Sequence, residues 1–194
     1  MTTAIRLDHR DLLVVCGLPG AGKSTLLRRV EVDPVPVLDS DQVRHRLRSL
    51  LPARTPYRWY RPLVHAWHRA RIVRHAALTR GPVVVHEPST RATTRALLAL
   101  VGFLTRRPVR MLWLDVSPEQ ALAGQHQRGR TVRPRSFARH VRRAQRVRAA
   151  LLAGRVPRGW RSARLLSRQG ADRLHLAPPA DVAVPAQLPS WVTH

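Results

Sequence analysis

The sequence contains almost none of several residues on which whole classes of protein depend. It has no asparagine, a single lysine (Lys23), a single cysteine (Cys16), two isoleucines (Ile5 and Ile72) and 11 acidic residues among 194. One cysteine cannot form an internal disulfide, which excludes a disulfide-stapled scaffold, and its place in an apolar run suits a small buried hydrophobe. The longest apolar stretch, Ala96 to Leu104, is about half of the roughly 20 residues that a membrane-spanning helix needs. Residues 1–11 include two aspartates and no apolar segment of the kind a secretory signal requires. The expectation is a cytoplasmic protein that does not span a membrane. Asparagine, lysine and isoleucine share AT-rich codons, and their scarcity is the mark of a GC-rich genome. That bias explains arginine in place of lysine but not the shortage of acids.

What the chain has in excess is positive charge. Against the 11 acids stand 35 basic residues, all but Lys23 arginine, for a formal net charge of +24. Its partners are therefore expected to be anions: nucleic acid, nucleotides, phosphorylated metabolites or an acidic surface. A hydrophobic content of 44% excludes a disordered basic tail protein. Six acids fall in the first 41 residues, whereas the stretch from Arg128 to Arg173 holds 15 arginines and one acid, Asp172. The length fits one domain, expected over residues 1–176, followed by a Pro-rich extended tail over 177–194.

Five apolar runs separated by helix-like segments predict an α/β fold with a five-stranded, mostly parallel sheet flanked by helices. The runs are Asp11 to Cys16, Val35 to Leu38, Pro82 to Val85, Val109 to Leu114 and Ala163 to Leu166. Helices are predicted after Gly22, over Pro62 to Thr79, over Thr90 to Leu104 and over Arg135 to Ala153. In the second of these, Leu63, Ala66, Trp67, Ala70 and Ala77 are expected to face the core, with Arg61, His65, His68 and Arg69 opposite; Ile72 breaks that pattern.

One motif carries chemistry. Gly17-Leu18-Pro19-Gly20-Ala21-Gly22-Lys23-Ser24-Thr25 matches the phosphate-binding P-loop pattern and lies between a predicted strand and a predicted helix. Gly17, Gly20 and Gly22 let the backbone bend around phosphates. The amides from Gly20 through Ala21 to Thr25 and the helix N-terminus then face the anion, with Pro19, which has no N–H, in the turn that leads to them. Lys23 is positioned for the β and γ phosphates of ATP, and the Ser24 hydroxyl for Mg²⁺. Lysine survives only here, where a compact ammonium is needed rather than a broad guanidinium fork. Downstream, Asp39 and Asp41 end a predicted strand at i and i+2, followed by Arg44. One carboxylate is suited to accept a hydroxyl proton and the other to assist a metal, with Arg44 gripping an anionic acceptor; capping the next helix is the alternative use.

These two motifs resemble the P-loop kinases and, more broadly, AAA-type ATP-binding proteins. The nearest likeness is to polynucleotide-kinase-like, zeta-toxin-like and adenylylsulfate kinase-like proteins. The resemblance implies a P-loop NTPase fold that uses ATP and Mg²⁺, with Asp41 as the base, Arg44 on an acceptor phosphate and a mobile Arg-bearing lid over about residues 124–136. The resemblance makes Arg128 and Arg130 the candidate catalytic cations of that lid, with Arg133 a further candidate. The sequence departs from the family where many members carry an aspartate after the third strand. Here it reads Val85-His86-Glu87-Pro88-Ser89, which makes Glu87 a substitute metal-assisting carboxylate beside Asp39. It also lacks the acceptor residues of adenylylsulfate kinase, which disfavours that acceptor.

The expected activity is transfer of the γ-phosphoryl group of ATP to a hydroxyl of an anionic acceptor, a polynucleotide end or a small metabolite. The alternative is an ATP-binding regulatory or nucleic-acid-binding module with little or no transfer. The segment Tyr57-Arg58-Trp59-Tyr60-Arg61 interleaves aromatics with arginine, as a base-stacking surface does, but serves equally to anchor the following helix. His65, His68 and His75 have no cysteine or carboxylate nearby in sequence, which argues against a metal site.

Overall fold

The computed structural model describes residues 3–29, 35–129, 131–177 and 179. Arg130 and all of the expected tail except residues 177 and 179 lie outside them. The elements run β1 (Thr3–Arg6), β2 (Leu12–Gly17), α1 (Lys23–Arg29), β3 (Val37–Asp39), α2 (Ser40–Leu50), α3 (Tyr57–Leu78) and β4 (Val83–His86). They continue with α4 (Ala92–Leu104), β5 (Val109–Asp115), α5 (Pro118–Gln127), α6 (Pro134–Leu152), β6 (Ser162–Ser167), α7 (Arg168–Asp172) and β7 (Leu174–Ala177).

All five expected apolar runs become strands of one parallel sheet in the order β3-β4-β2-β5-β6. The central strand β2 is buried along its whole length, as its unbroken apolar sequence requires for a strand covered on both faces. Strand order reverses between β2 and its neighbours, and the C-terminal ends of β2, β3 and β4 meet there, the usual place for a ligand crevice in such sheets. A second, two-stranded parallel sheet pairs β1 with β7, and the Leu7 amide extends it to the Ala177 carbonyl.

Helix α3 differs from its expected form in extent and in face. It starts at Tyr57 and runs through Pro62. The missing proline N–H costs one bond, offset because Tyr60 and Val64 pack with Val43 and Leu47 of α2 in a small separate core. Its buried stripe is Tyr60, Val64, His68, Ile72 and Ala76, at strict i+4 spacing. Leu63 is exposed, so Ile72, which broke the expected pattern, marks the true core face.

Many arginines hold the fold together. Buried Arg107 donates to the Ala76, Gly81 and Thr79 carbonyls, closing the end of α3 onto the turn into β4. Arg10 caps the end of α4 at the Thr105 and Arg106 carbonyls. Arg48 does the same after α2 at Pro52 and Ala53. Arg110 pairs with Asp11, Arg148 with Asp115 and Arg29 with Asp172.

Candidate functional site

β2 ends at Gly17 and α1 begins at Lys23, so the P-loop turns between strand and helix. Gly17, Gly20 and Gly22 adopt φ of 135°, 95° and 94°, conformations that side chains other than glycine's rarely accept. Lys23 is 3% exposed, and its Nζ donates to the carbonyls of Gly17 at 3.0 Å and Leu18 at 2.7 Å. Burial brings its pKa down to about 8, and the charge of Arg128 acts in the same direction. Arg128 therefore lies within electrostatic reach of the loop. It caps the end of α5, where its Nε donates to the Gly124 carbonyl at 3.1 Å.

α5 rests directly on the loop. A Cβ added to Gly20 would stand 1.9 Å from the Ala121 carbonyl oxygen, and one on Gly124 would stand 2.3 Å from that of Gly20. Gln125, 2% exposed, donates from Nε2 to the Pro19 carbonyl at 3.0 Å and accepts from the Val132 amide at 2.8 Å. It joins the P-loop to the segment expected to be the lid. Residues 124–127 of that segment are helical in α5 and 134–136 helical in α6, which narrows the connection to residues 128–133.

Ser24 leads to the second motif. Its hydroxyl lies 3.2 Å from Asp39 Oδ2 and 3.4 Å from His86 Nδ1, and His86 Nδ1 lies 2.7 Å from the same Asp39 oxygen. Asp39 also caps α2: its Oδ1 accepts from the Asp41 amide at 2.9 Å while Gln42 reaches back to the Asp39 amide. Burial alone would raise its pKa. The bonds from His86, the Asp41 amide and Ser24 outweigh this and hold the carboxyl well below the usual range. The capping use and the place beside Ser24 are both realised, through different oxygens. Asp41 sits in the first turn of α2, and Arg44 lies one turn on, its guanidinium 4.5 Å from the centroid of the Tyr57 ring.

Glu87 follows β4, and its Oε2 is 3.7 Å from His68 Nε2. Burial raises the Glu87 pKa, opposed by Arg69 and Lys23. His68 is 1% exposed, and among the described residues neither ring nitrogen has a hydrogen-bond partner of normal geometry; burial brings it down to about 4. At Ser24 and Asp39 the side chain that arrives from β4 is His86 rather than Glu87. Two residues that the sequence analysis passes over thus shape the site, His86 and Gln125. His86 had one visible signal, its position as the last residue of a strand ending beside a P-loop. Beside the loop an apolar cleft of about 340 Å³ opens between Leu18, Trp113, Val116 and Pro118 on one side and Val141 and Ala144 of α6 on the other.

The family described as the AAA domain matches residues 12–152, a span that begins with β2 and includes the P-loop, Asp39, His86 and α6. The chain belongs to that family. No curated protein sequence matches this AAA domain, but solved structures show the fold. A chain from the PezAT chromosomal toxin-antitoxin system of Streptococcus pneumoniae is 11% identical with a TM-score of 0.61, over 86% of this chain and 71% of that one. A chain of the Pnkp1/Rnl/Hen1 RNA repair complex is 19% identical with a TM-score of 0.53, over 73% of this chain and 46% of that one. These similarities agree with the expected P-loop NTPase fold. Among the described residues no helix is long and apolar enough to cross a membrane.

Proposed function

We propose that this AAA domain is an ATP-dependent phosphotransferase that moves the γ-phosphoryl group of ATP to a hydroxyl of an anionic acceptor. The observation that carries the reading is the setting of Lys23. The only lysine of the chain is enclosed in a P-loop, held by two loop carbonyls, and followed directly by the Ser24–Asp39 contact.

In this reading the loop amides and the N-terminus of α1 receive the phosphates. The Lys23 ammonium turns from the Gly17 and Leu18 carbonyls to the β and γ oxygens. The cleft beside Leu18 and Trp113 takes the apolar face of the nucleotide base. A hydroxyl and a carboxylate oxygen 3.2 Å apart suit Mg²⁺, a hard cation that keeps several waters and takes its other ligands from phosphates. Ser24 and Asp39 would hold it, with Glu87 nearby, and when bound it neutralises charge on the phosphates. Among the described residues no group of three or more His, Cys, Asp or Glu forms a self-sufficient metal cage. Asp41 takes the proton of the acceptor hydroxyl as that oxygen bonds to the γ-phosphorus and the bond to the bridging oxygen breaks, releasing ADP. Arg44, steadied on Tyr57, grips the acceptor, and Arg128 with Arg130 offsets charge on the moving group.

Lys23→Ala abolishes turnover in this reading, and Asp41→Asn keeps ATP binding but loses transfer. The measurement is ATP consumption with and without a panel of oligonucleotides and phosphorylated metabolites. Normal transfer by Asp41→Asn removes that residue from the role of base. A second reading, an ATP-binding module without transfer, is favoured by His86 occupying the strand end where many polynucleotide-kinase-like proteins carry an aspartate. Acceptor-dependent phosphorylation in the same panel excludes it.

A further inference from the structure

We infer that the acceptor is a single-stranded nucleic acid, held by its phosphates on a cluster of basic side chains from α3, the start of α4 and α6. The identity of the group that reacts, a terminal hydroxyl, rests on the phosphotransfer reading; the binding site does not.

Three elements bring the charge together. From α3 come Arg61 and His65, with Arg61 Nε 3.4 Å from His65 Nε2. From the β4–α4 turn comes Arg91, the N-cap of α4, a helix start with no side-chain cap to satisfy its first amides. From α6 come His140 and Arg143, fixed against the turn by the 2.8 Å hydrogen bond between Thr90 Oγ1 and His140 Nδ1. Burial, and then the charges of Arg91, Arg143, Lys23 and Arg61, bring the His140 pKa down to about 4. The charge of Lys23 acts on the same ring, so the P-loop lies within electrostatic reach of this cluster. His65 is depressed in the same way by burial and then by Arg61, Arg69 and Arg91.

Composition decides between a polymer and a small phosphorylated acceptor. Together α3 and α6 hold 11 arginines and not one Asp or Glu. A solvated helix face in an arginine-rich chain would still interleave acids with its bases. The structural arginines account for little of this, because among the described residues only Arg148 of the 11 pairs with a carboxylate. One small phosphorylated molecule occupies two or three guanidinium groups, whereas a phosphodiester chain uses a stripe of them. At the start of α3, on a different face of the helix from Arg61, Trp59 is 69% exposed with Arg58 against its ring. An open aromatic face beside arginine is what an unpaired base stacks on.

The test is fluorescence anisotropy of a short labelled single-stranded oligonucleotide with a free terminal hydroxyl, titrated with the full chain over a range of salt. The expected affinity falls steeply with salt, with a log–log slope of about −0.7 for each phosphate contacted. Arg91→Gln and Arg143→Gln each weaken binding about tenfold and flatten that slope by about 0.7, while their affinity for ATP stays at the wild-type value, which shows that they are folded. Absence of binding at low salt, or binding indifferent to both substitutions, overturns the proposal. So does acceleration of ATP turnover by a small phosphorylated acceptor that the oligonucleotide does not displace. If the oligonucleotide binds as expected but takes no label from γ-labelled ATP, the phosphotransfer reading fails and the nucleic-acid site stands.

Discussion

His86 and Asp39 are direct partners across the β3–β4 pairing, and their side chains meet at 2.7 Å over the end of the sheet. Because Ser24 reaches the same carboxylate oxygen, His86 fixes the direction in which Asp39 faces the P-loop. A partner that orients a metal-assisting carboxylate without touching the metal typically changes metal affinity by about 10–100-fold when removed. His86→Phe is expected to raise the Mg²⁺ concentration for half-maximal ATP turnover at least about tenfold, with metal-free ATP binding preserved. His86→Asn, which keeps a donor, recovers part of the loss. An unchanged Mg²⁺ dependence in the phenylalanine variant would reduce His86 to a packing residue.

The contact of α5 with the loop gives a second prediction. Gly124 has no room for a methyl group without displacing the Gly20 carbonyl, although alanine is the better helix former by about 1 kcal/mol. Gly124→Ala is therefore expected to weaken ATP binding about tenfold or more while the melting temperature moves little. Gly81→Ala, at a position with nothing within 4 Å of the added carbon, is the matched control and should leave both unchanged. Calorimetric titration with ATP and thermal melts of the two variants decide the matter.

What the sequence made legible was local. Each of the five core strands is a short apolar run, and the P-loop is contiguous, so both can be read residue by residue. Strands β1 and β7 are four residues each and too short for periodicity to mark; only their mutual pairing makes them strands. The face of α3 was misread because its alanines fit either side, and the packing of Tyr60 and Val64 on α2 settled the choice. Gln125 and His86 act through partners 106 and 62 residues away in sequence, a relationship that no local pattern contains. The charge excess was visible as a total, but its division into carbonyl clamps and arginines left free of them depends on where the carbonyls and acids lie.

Arg107 tests that division. It is 3% exposed and donates to three carbonyls across two elements. Removing it strands those acceptors in the interior, a loss of about 3 kcal/mol. Arg107→Ala should shift the urea midpoint accordingly at constant m-value and leave ATP affinity per folded molecule unchanged. Arg107→Lys should recover less than half of the loss, since an ammonium cannot serve three divergent carbonyls as a fork does. A stable Arg107→Ala protein that fails to bind ATP would instead place this residue in function.

Acid should unfold the protein partly through two imidazoles. His68 and His140 titrate at about 4 in the folded chain and at about 6.5 when unfolded. Between those values the unfolded state holds more protons, so stability rises with pH across that window and gains nothing further from these groups above it. For His68, enclosed at 1% exposure, the loss on acidification is about 3 kcal/mol; the more open His140 contributes less. Urea unfolding at about pH 7 and about pH 4.5 should therefore show a marked drop for the wild type and a smaller one for His68→Leu, which cannot be protonated. The same drop in both proteins would mean that His68 is not the group whose protonation the fold resists.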